Sequence, residues 1–256
     1  MHPYVLEIFG FRLPTYGLLV ATAFLCAMGM TNRLAKRAGM DPERVLNLAM
    51  YCAIAGIAGA KLLMILVDLG EYVRDPRQLF SLSTLQAAGI FYGGLVLALV
   101  VAYVYMRRQK MPLFATADVF APGLALGHAI GRLGCFAAGC CWGTQCDRPW
   151  AVTFTSKDAH DLVGVPLNVP LHPSQLYESF AEFAICGYLY WRIHRKHAPG
   201  AIIGQYLVLY AVVRFLVDFV RTQQQTAIGP FTNAQWISLG LAAVAGVTWL
   251  RTRRTT

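Results

Sequence analysis

Hydrophobic residues run along this chain in long blocks, and polar residues collect at the joints between them. A helix that crosses a bilayer needs about 20 predominantly apolar residues. By that ruler, seven blocks read as spans: 15–32, 47–68, 86–106, 114–136, 176–191, 201–220 and 234–250. The fourth contains Pro122, and the fifth is short and carries Glu178 and Glu182. Residues 1–14 have no basic stretch ahead of an apolar core, so they make a poor secretory leader. The mixture of Tyr4, Glu7, Phe9, Phe11 and Arg12 reads as an interfacial helix lying on the membrane. The pattern therefore predicts an all-α polytopic membrane protein. It is a single integral-membrane domain over 1–256, with an extramembrane loop of about 137–175 and no internal repeat.

Composition agrees. The chain is 57% hydrophobic and 14% charged, where an average soluble domain carries roughly 25% charged residues. A soluble protein so poor in charge could not cover its surface. Disordered tails and disulfide-dense secreted modules are excluded on the same grounds. The formal net charge is +9. A nucleic-acid binder is also basic, but it would gather its cations on a patch rather than between runs of Leu, Val and Ala, so no nucleic acid is expected. Instead the charge sets topology. Of 22 Lys and Arg, thirteen follow spans one, three, five and seven: Arg33, Lys36, Arg37, Arg44, Arg107, Arg108, Lys110, Arg192, Arg195, Lys196, Arg251, Arg253 and Arg254. Six lie on the other side, namely Arg12, Arg74, Arg77, Arg148, Lys157 and Arg221. That bias puts the C-terminus in the cytoplasm and the N-terminus and the long loop outside.

Ionisable residues within spans are costly and mark function. In span six, Tyr210, Arg214, Asp218 and Arg221 recur at intervals of four, four and three, which places them on one helical face. This is either an Arg–Asp pair joining two helices or a polar stripe lining a cavity. With two cations to one anion, the stripe would attract an anion. Span four reads GLALGHAIGRLG, with Gly123, Gly127 and Gly131 allowing close helix approach and Arg132 following at once. Guanidinium forks suit phosphate, and a phospholipid headgroup is the phosphate available at that depth. Ahead of span five, LHPSQLYESFAE offers Ser174 as a helix cap, Glu178 and Glu182 on one face, and His172 as a titratable group at a pocket mouth. Those carboxylates would otherwise serve as partners for Lys61 or an Arg. Tyr92 sits among Gly89, Gly93 and Gly94 at the start of span three. Cys135, Cys140, Cys141 and Cys146 crowd into GRLGCFAAGCCWGTQC without a common zinc spacing. They fit two loop-stapling disulfides, a metal or iron–sulfur site, or reactive thiols.

Several of these segments together resemble the bacterial prolipoprotein diacylglyceryl transferases. They are PTYGL (14–18), YGG (92–94), GRLGCFAAGCCWG (131–143), HPSQLYE (172–178) and YAVVRFLVDFVR (210–221), in matching order and spacing. The resemblance implies a multi-pass enzyme of the bacterial cytoplasmic membrane, with seven helices and an outer N-terminus. It implies transfer of the diacylglyceryl group of phosphatidylglycerol to the lipobox cysteine of a lipoprotein precursor, releasing glycerol phosphate and using no cofactor or metal. Arg132 and Arg214 would hold the phosphate and stabilise charge as it develops there. Tyr16 and Tyr210 would line the pocket. Asp218, where the family usually has Glu, would orient Arg214, and Arg221, Gln175, Glu178, Gly134 and Gly143 complete the expected substrate site.

Three departures mark a divergent, cysteine-rich branch. Tyr92 replaces the family's His before the two glycines. Cys135 and Ala138 replace two Asn, and Cys140 replaces a Glu. With that His gone, Tyr92 or His172 would take the proton of the acceptor thiol. Two nearby guanidiniums would favour thiolate in any case. A different acceptor or donor lipid, an anion transporter and a thiol-redox protein stay open as alternatives. A transporter predicts internal symmetry, which the sequence lacks.

Overall fold

A computed structural model describes residues 4–8, 11–81, 84, 89–222, 232–240, 243 and 246. Among these residues the chain is mostly helical, with two small antiparallel ladders, and it divides into two compact groups, Ala35–Thr116 and Met1–Leu34 with Ala117–Thr256.

The expected interfacial helix at the N-terminus is a strand pair instead. β1 (Tyr4–Ile8) runs antiparallel to β2 (Phe11–Pro14). Tyr4, Leu6 and Ile8 alternate with Val5 and Glu7, which is the strand period, and a helix of under 15 residues is marginal by itself.

In the group Ala35–Thr116, α2 (Pro42–Val67) opens on Asp41. Its side chain accepts hydrogen bonds from Glu43 N and Arg44 N, and Pro42 occupies the first turn, where its missing N–H costs nothing. A short α3 (Leu69–Arg74) and a 3-10 turn (Pro76–Phe80) follow. α4 (Phe91–Arg108) then packs back on α2 through small residues: a Cβ on Gly94 would come 2.5 Å from Gly56 O. Gly89, at φ 77°, turns the chain so that Ile90 N donates to Ala60 O at 3.0 Å. Little of the apolar length of α2 or α4 is buried by protein. Residues such as Ile57, Leu66, Val96 and Leu99 are exposed, which is the surface a lipid solvent covers.

The other group is built on α1 (Thr15–Arg37), α5 (Leu113–Ala138), α7 (Ser174–Ile193) and α8 (Ala201–Asp218). α5, α7 and α8 meet in a core of Ala121, Ala125, Ile185, Cys186, Leu189, Ile202 and Tyr206. α1 lies against the glycines of α5. A Cβ on Gly123 would stand 2.9 Å from Ala27 O, and one on Gly127 would stand 3.3 Å from Ala27 Cβ. Gly131, expected to share this stripe, faces nothing within 4 Å. Asp118 of α5 closes the start of α8. Its oxygens accept from Gly200 N at 2.7 Å, Ile202 N at 2.9 Å and Ile203 N at 2.8 Å. A carboxylate borrowed from another helix thus satisfies donors that α8 cannot cap from its own sequence.

Among the described residues, five helices are long and apolar enough to cross a membrane: α1, α2, α4, α5 and α8. α7 has the length, but its Ser174, Gln175, Glu178, Ser179 and Glu182 are all buried by protein. Most of the seventh predicted span lies outside the described residues; 234–240 within it is helical.

Candidate active site

The loop between α5 and α7 fixes the site from one side. Its segment 143–146 runs between two others. Gly143 N donates to His172 O at 3.0 Å and Cys146 N to Pro170 O at 3.0 Å, while Thr144 N donates to Val220 O at 2.8 Å on the far side. Gly143 must be glycine here, since a Cβ would stand 2.6 Å from both His172 Cβ and Val220 O. A short ladder of β3 (Val152–Thr153) with β4 (Pro170–Leu171), and α6 (Lys157–Val163), complete the loop. They gather Trp142, Phe154, Ala159, Val165 and Leu171 into a core of their own.

α7 supplies the centre of the charged cluster. Glu178 Oε2 lies 2.6 Å from Arg132 Nε of α5. Glu178 Oε1 lies 3.9 Å from Arg214 Nη1 of α8 and 3.6 Å from Arg221 Nη1 just beyond it. Arg214 Nη2 also meets Asp218 Oδ1 at 2.9 Å, one helical turn on, and Thr232 donates to the other Asp218 oxygen. The glutamate side chain is 3% exposed and the three arginines are 15%, 15% and 11% exposed. Three guanidiniums therefore converge on one carboxylate in a space largely closed to solvent. Even so, Arg214 Nη1 and Arg221 Nε are buried without a hydrogen-bond partner among the described residues, as are Glu178 Oε2 and both Glu182 oxygens. Buried charged donors left unmade are expensive, and an anion entering the pocket would satisfy them.

Beside this cluster stands His128. Its Nε2 lies 3.2 Å from Arg132 Nε, which is thereby shared with Glu178. Its Nδ1 lies 3.4 Å from Glu182 Oε1, and its ring packs against Tyr210 with centroids 5.2 Å apart. That arrangement assigns the ring proton to Nδ1, facing the carboxylate, and leaves the Nε2 lone pair toward the arginine.

The family model for prolipoprotein diacylglyceryl transferase matches residues 3–251, nearly the whole chain. The chain belongs to this family. A phosphatidylglycerol–prolipoprotein diacylglyceryl transferase of Clostridium tetani is 30% identical to it over 93% of each chain. Namesakes from Synechococcus elongatus and Methylococcus capsulatus are 31% identical, over 97% of this chain and 87% of the relative, and 33% identical, over 80% and 76%.

Within that family frame, the expected residues take definite places. Arg132, Arg214, Arg221, Glu178 and Asp218 form the charged cluster, and Tyr210 stands at its edge on His128. α8 ends at Asp218, so Arg221 is not on the helical face that its spacing implied. The bridge between Gly143 and Arg221 aims it instead. The two arginines still outnumber Asp218 along span six, and α7 adds Glu178 beside them. Tyr16, in the first turn of α1, packs on Gly134, where a Cβ would stand 3.3 Å from its ring. His172 Nδ1 pairs with Tyr177 OH at 3.1 Å. Tyr92 is exposed in the first turn of α4, in the group Ala35–Thr116. Lys61, offered as a partner for the glutamates, belongs to that same group and donates to Thr84 O.

The capping role given to Ser174 is not observed. Pro173 holds the N-cap position, and Ser174 Oγ donates to Cys141 O at 2.8 Å. Gln175 Nε2 likewise donates to Cys140 O at 2.6 Å. Both side chains hold the cysteine loop in position. The two-staple arrangement is not formed either. All seven cysteines are free thiols, and Cys135, Cys140 and Cys141 gather without Cys146, whose sulfur accepts from Arg148 N. The Cys141 thiol is held far below the usual thiol range because the Cys135 and Cys140 thiols hydrogen-bond to it, with Arg221 and Arg132 adding attraction. The same pairings push Cys140 far up.

His128 and Glu182 were not singled out as site residues from sequence. The signals were available: His128 lies one turn before Arg132 on α5, and Glu182 one turn after Glu178 on α7, which aligns both pairs on facing sides.

Proposed function

We propose that this protein transfers the diacylglyceryl group of phosphatidylglycerol to the lipobox cysteine of a lipoprotein precursor and releases glycerol phosphate. The observation that carries this reading is the convergence of Arg132, Arg214 and Arg221, with buried donors still unmade, in a chain whose relatives bear that activity in their names. The phosphate of the donor lipid takes these donors. The acceptor sulfur attacks the glycerol carbon next to the phosphate ester. An S–C bond forms, the C–O bond breaks, and the electron pair leaves with the phosphate, where the guanidiniums stabilise it. As Arg132 turns to the phosphate, the Nε2 lone pair of His128 is released to take the thiol proton, and Glu182 stabilises the imidazolium. His172 and Tyr92 are the other candidates for that proton. Tyr16, Tyr210, Gly134 and Gly143 shape the lipid pocket.

The reading includes seven spans, with α7 and the segment from 234 as the fifth and seventh, and an outer N-terminus in the bacterial cytoplasmic membrane. The excess of Lys and Arg after the odd-numbered spans supports that orientation.

A host depleted of its own transferase is the test. Expression of this chain restores diacylglyceryl attachment to a lipoprotein precursor, read as a mass increase of the precursor. No attachment from well-expressed, monodisperse protein would rule the function out. In the purified system, His128→Gln lowers kcat by about 10²-fold, the lower end for a positioned proton acceptor. An unchanged kcat there, with loss in His172→Gln or Tyr92→Phe, moves the role to those residues.

A further inference from the structure

The family reading makes no use of sulfur donated by the enzyme, yet three sulfurs are held together at the rim of the arginine cluster. Cys135, Cys140 and Cys141 have their Sγ atoms within 4.8 Å of one another. A tetrahedral ion with metal–sulfur bonds of about 2.3 Å spaces its sulfurs about 3.8 Å apart. Each pair therefore needs to close by no more than about 1 Å, which is within the reach of small χ1 adjustments.

The backbone is arranged to hold this geometry. Gly139 sits at φ 79° and Cys141 at φ 62°. A left-handed cysteine is a strained choice for a side chain that only fills space, and such strain persists where surrounding bonds enforce it. Those bonds are present. Cys140 N donates to Cys135 O at 3.1 Å, Gln175 to Cys140 O and Ser174 to Cys141 O. Both carbonyls flanking the turn are thus tied to the first turn of α7, which fixes the directions of both thiols. Arg132 and Arg221 lie close enough to act electrostatically on Cys141, and their charge offsets the anionic shell that three thiolates make around a divalent ion.

We propose that Cys135, Cys140 and Cys141 bind one thiophilic metal ion of the zinc type, with the fourth position left to an exogenous ligand. The all-sulfur donor set selects soft ions over Mg²⁺ or Ca²⁺. Among the described residues, no further Cys, His, Asp or Glu joins the group, so the site has the three-ligand form that keeps one position open. This inference is independent of the transferase reading, and its test does not use turnover.

Full-length protein in detergent, purified under reductant, is incubated with excess Zn²⁺, desalted and analysed for metal. We expect one zinc per chain, with Mg²⁺ and Ca²⁺ not retained. Co²⁺ in place of Zn²⁺ gives a thiolate-to-cobalt charge-transfer band, and a short cysteine peptide intensifies it by entering the open position. Three of the seven thiols become protected from maleimide in the loaded protein, a readout that needs no variant. Cys135→Ser, Cys140→Ser and Cys141→Ser each abolish retention while eluting as monodisperse protein, and Cys146→Ser retains it. Substoichiometric zinc in the wild type, retention in the trio variants, or a thiol count of five in metal-free protein, meaning a disulfide, would overturn the site. A cobalt band indifferent to the cysteine peptide would overturn the open position.

Discussion

Replacing Arg132 by lysine lowers kcat by about 10²- to 10³-fold while leaving the protein folded. Lysine keeps the charge, so Glu178 still has a cation beside it, but it loses the planar guanidinium fork whose several N–H groups can meet Glu178 and the phosphate together. The loss falls on donors aimed at charge that builds up as the phosphate departs, and removal of one such donor typically costs about 10²–10³ in rate. Turnover of a lipobox peptide with phosphatidylglycerol in mixed micelles reads this directly, with kcat falling more than KM rises. Activity within about twofold of wild type would remove Arg132 from the phosphate site.

Glu178→Ala acts on the fold before it acts on rate. The carboxylate is the shared counter-ion of Arg132, Arg214 and Arg221, and it is 3% exposed. Truncating one partner of a buried ionic cluster leaves uncompensated charge and costs about 3–5 kcal/mol. The expected result is poor accumulation in the membrane and a clearly lower melting temperature by thermal size-exclusion. Glu178→Gln keeps the volume and two hydrogen-bonding groups, and so falls between Ala and wild type. An unchanged melting temperature for Glu178→Ala would show that the cluster does not hold α5, α7 and α8 together.

Much of the helical layout was legible because a bilayer span is a matter of length and apolar content. The predicted 15–32, 47–68, 86–106, 114–136 and 201–220 correspond to α1, α2, α4, α5 and α8 with modest shifts at their ends. The N-terminal strand pair was misread because a short mixed apolar segment carries both periods weakly. Ser174 was misassigned because a capping signal in sequence does not show that a distant carbonyl, Cys141 O, is closer to hand.

Arg132, Arg214 and Asp218 were recoverable from the chain alone because ionisable residues inside apolar runs stand out, and an i, i+4 pair lies on one face wherever the helix packs. The overall charge bias was recoverable for the same reason: it is a sum over positions, needing no neighbours. What only the tertiary structure decided is which charges meet. Glu178 reaches the arginines and Glu182 reaches His128 from another helix, and Arg221 arrives through a bridge to Gly143 rather than along α8. The three thiols converge because a left-handed turn at Gly139 and Cys141 folds residue 140 back on residue 135. Coulombic and coordination partners are selected by distances of 3–5 Å across the fold, and the order of residues along one chain does not encode those distances locally.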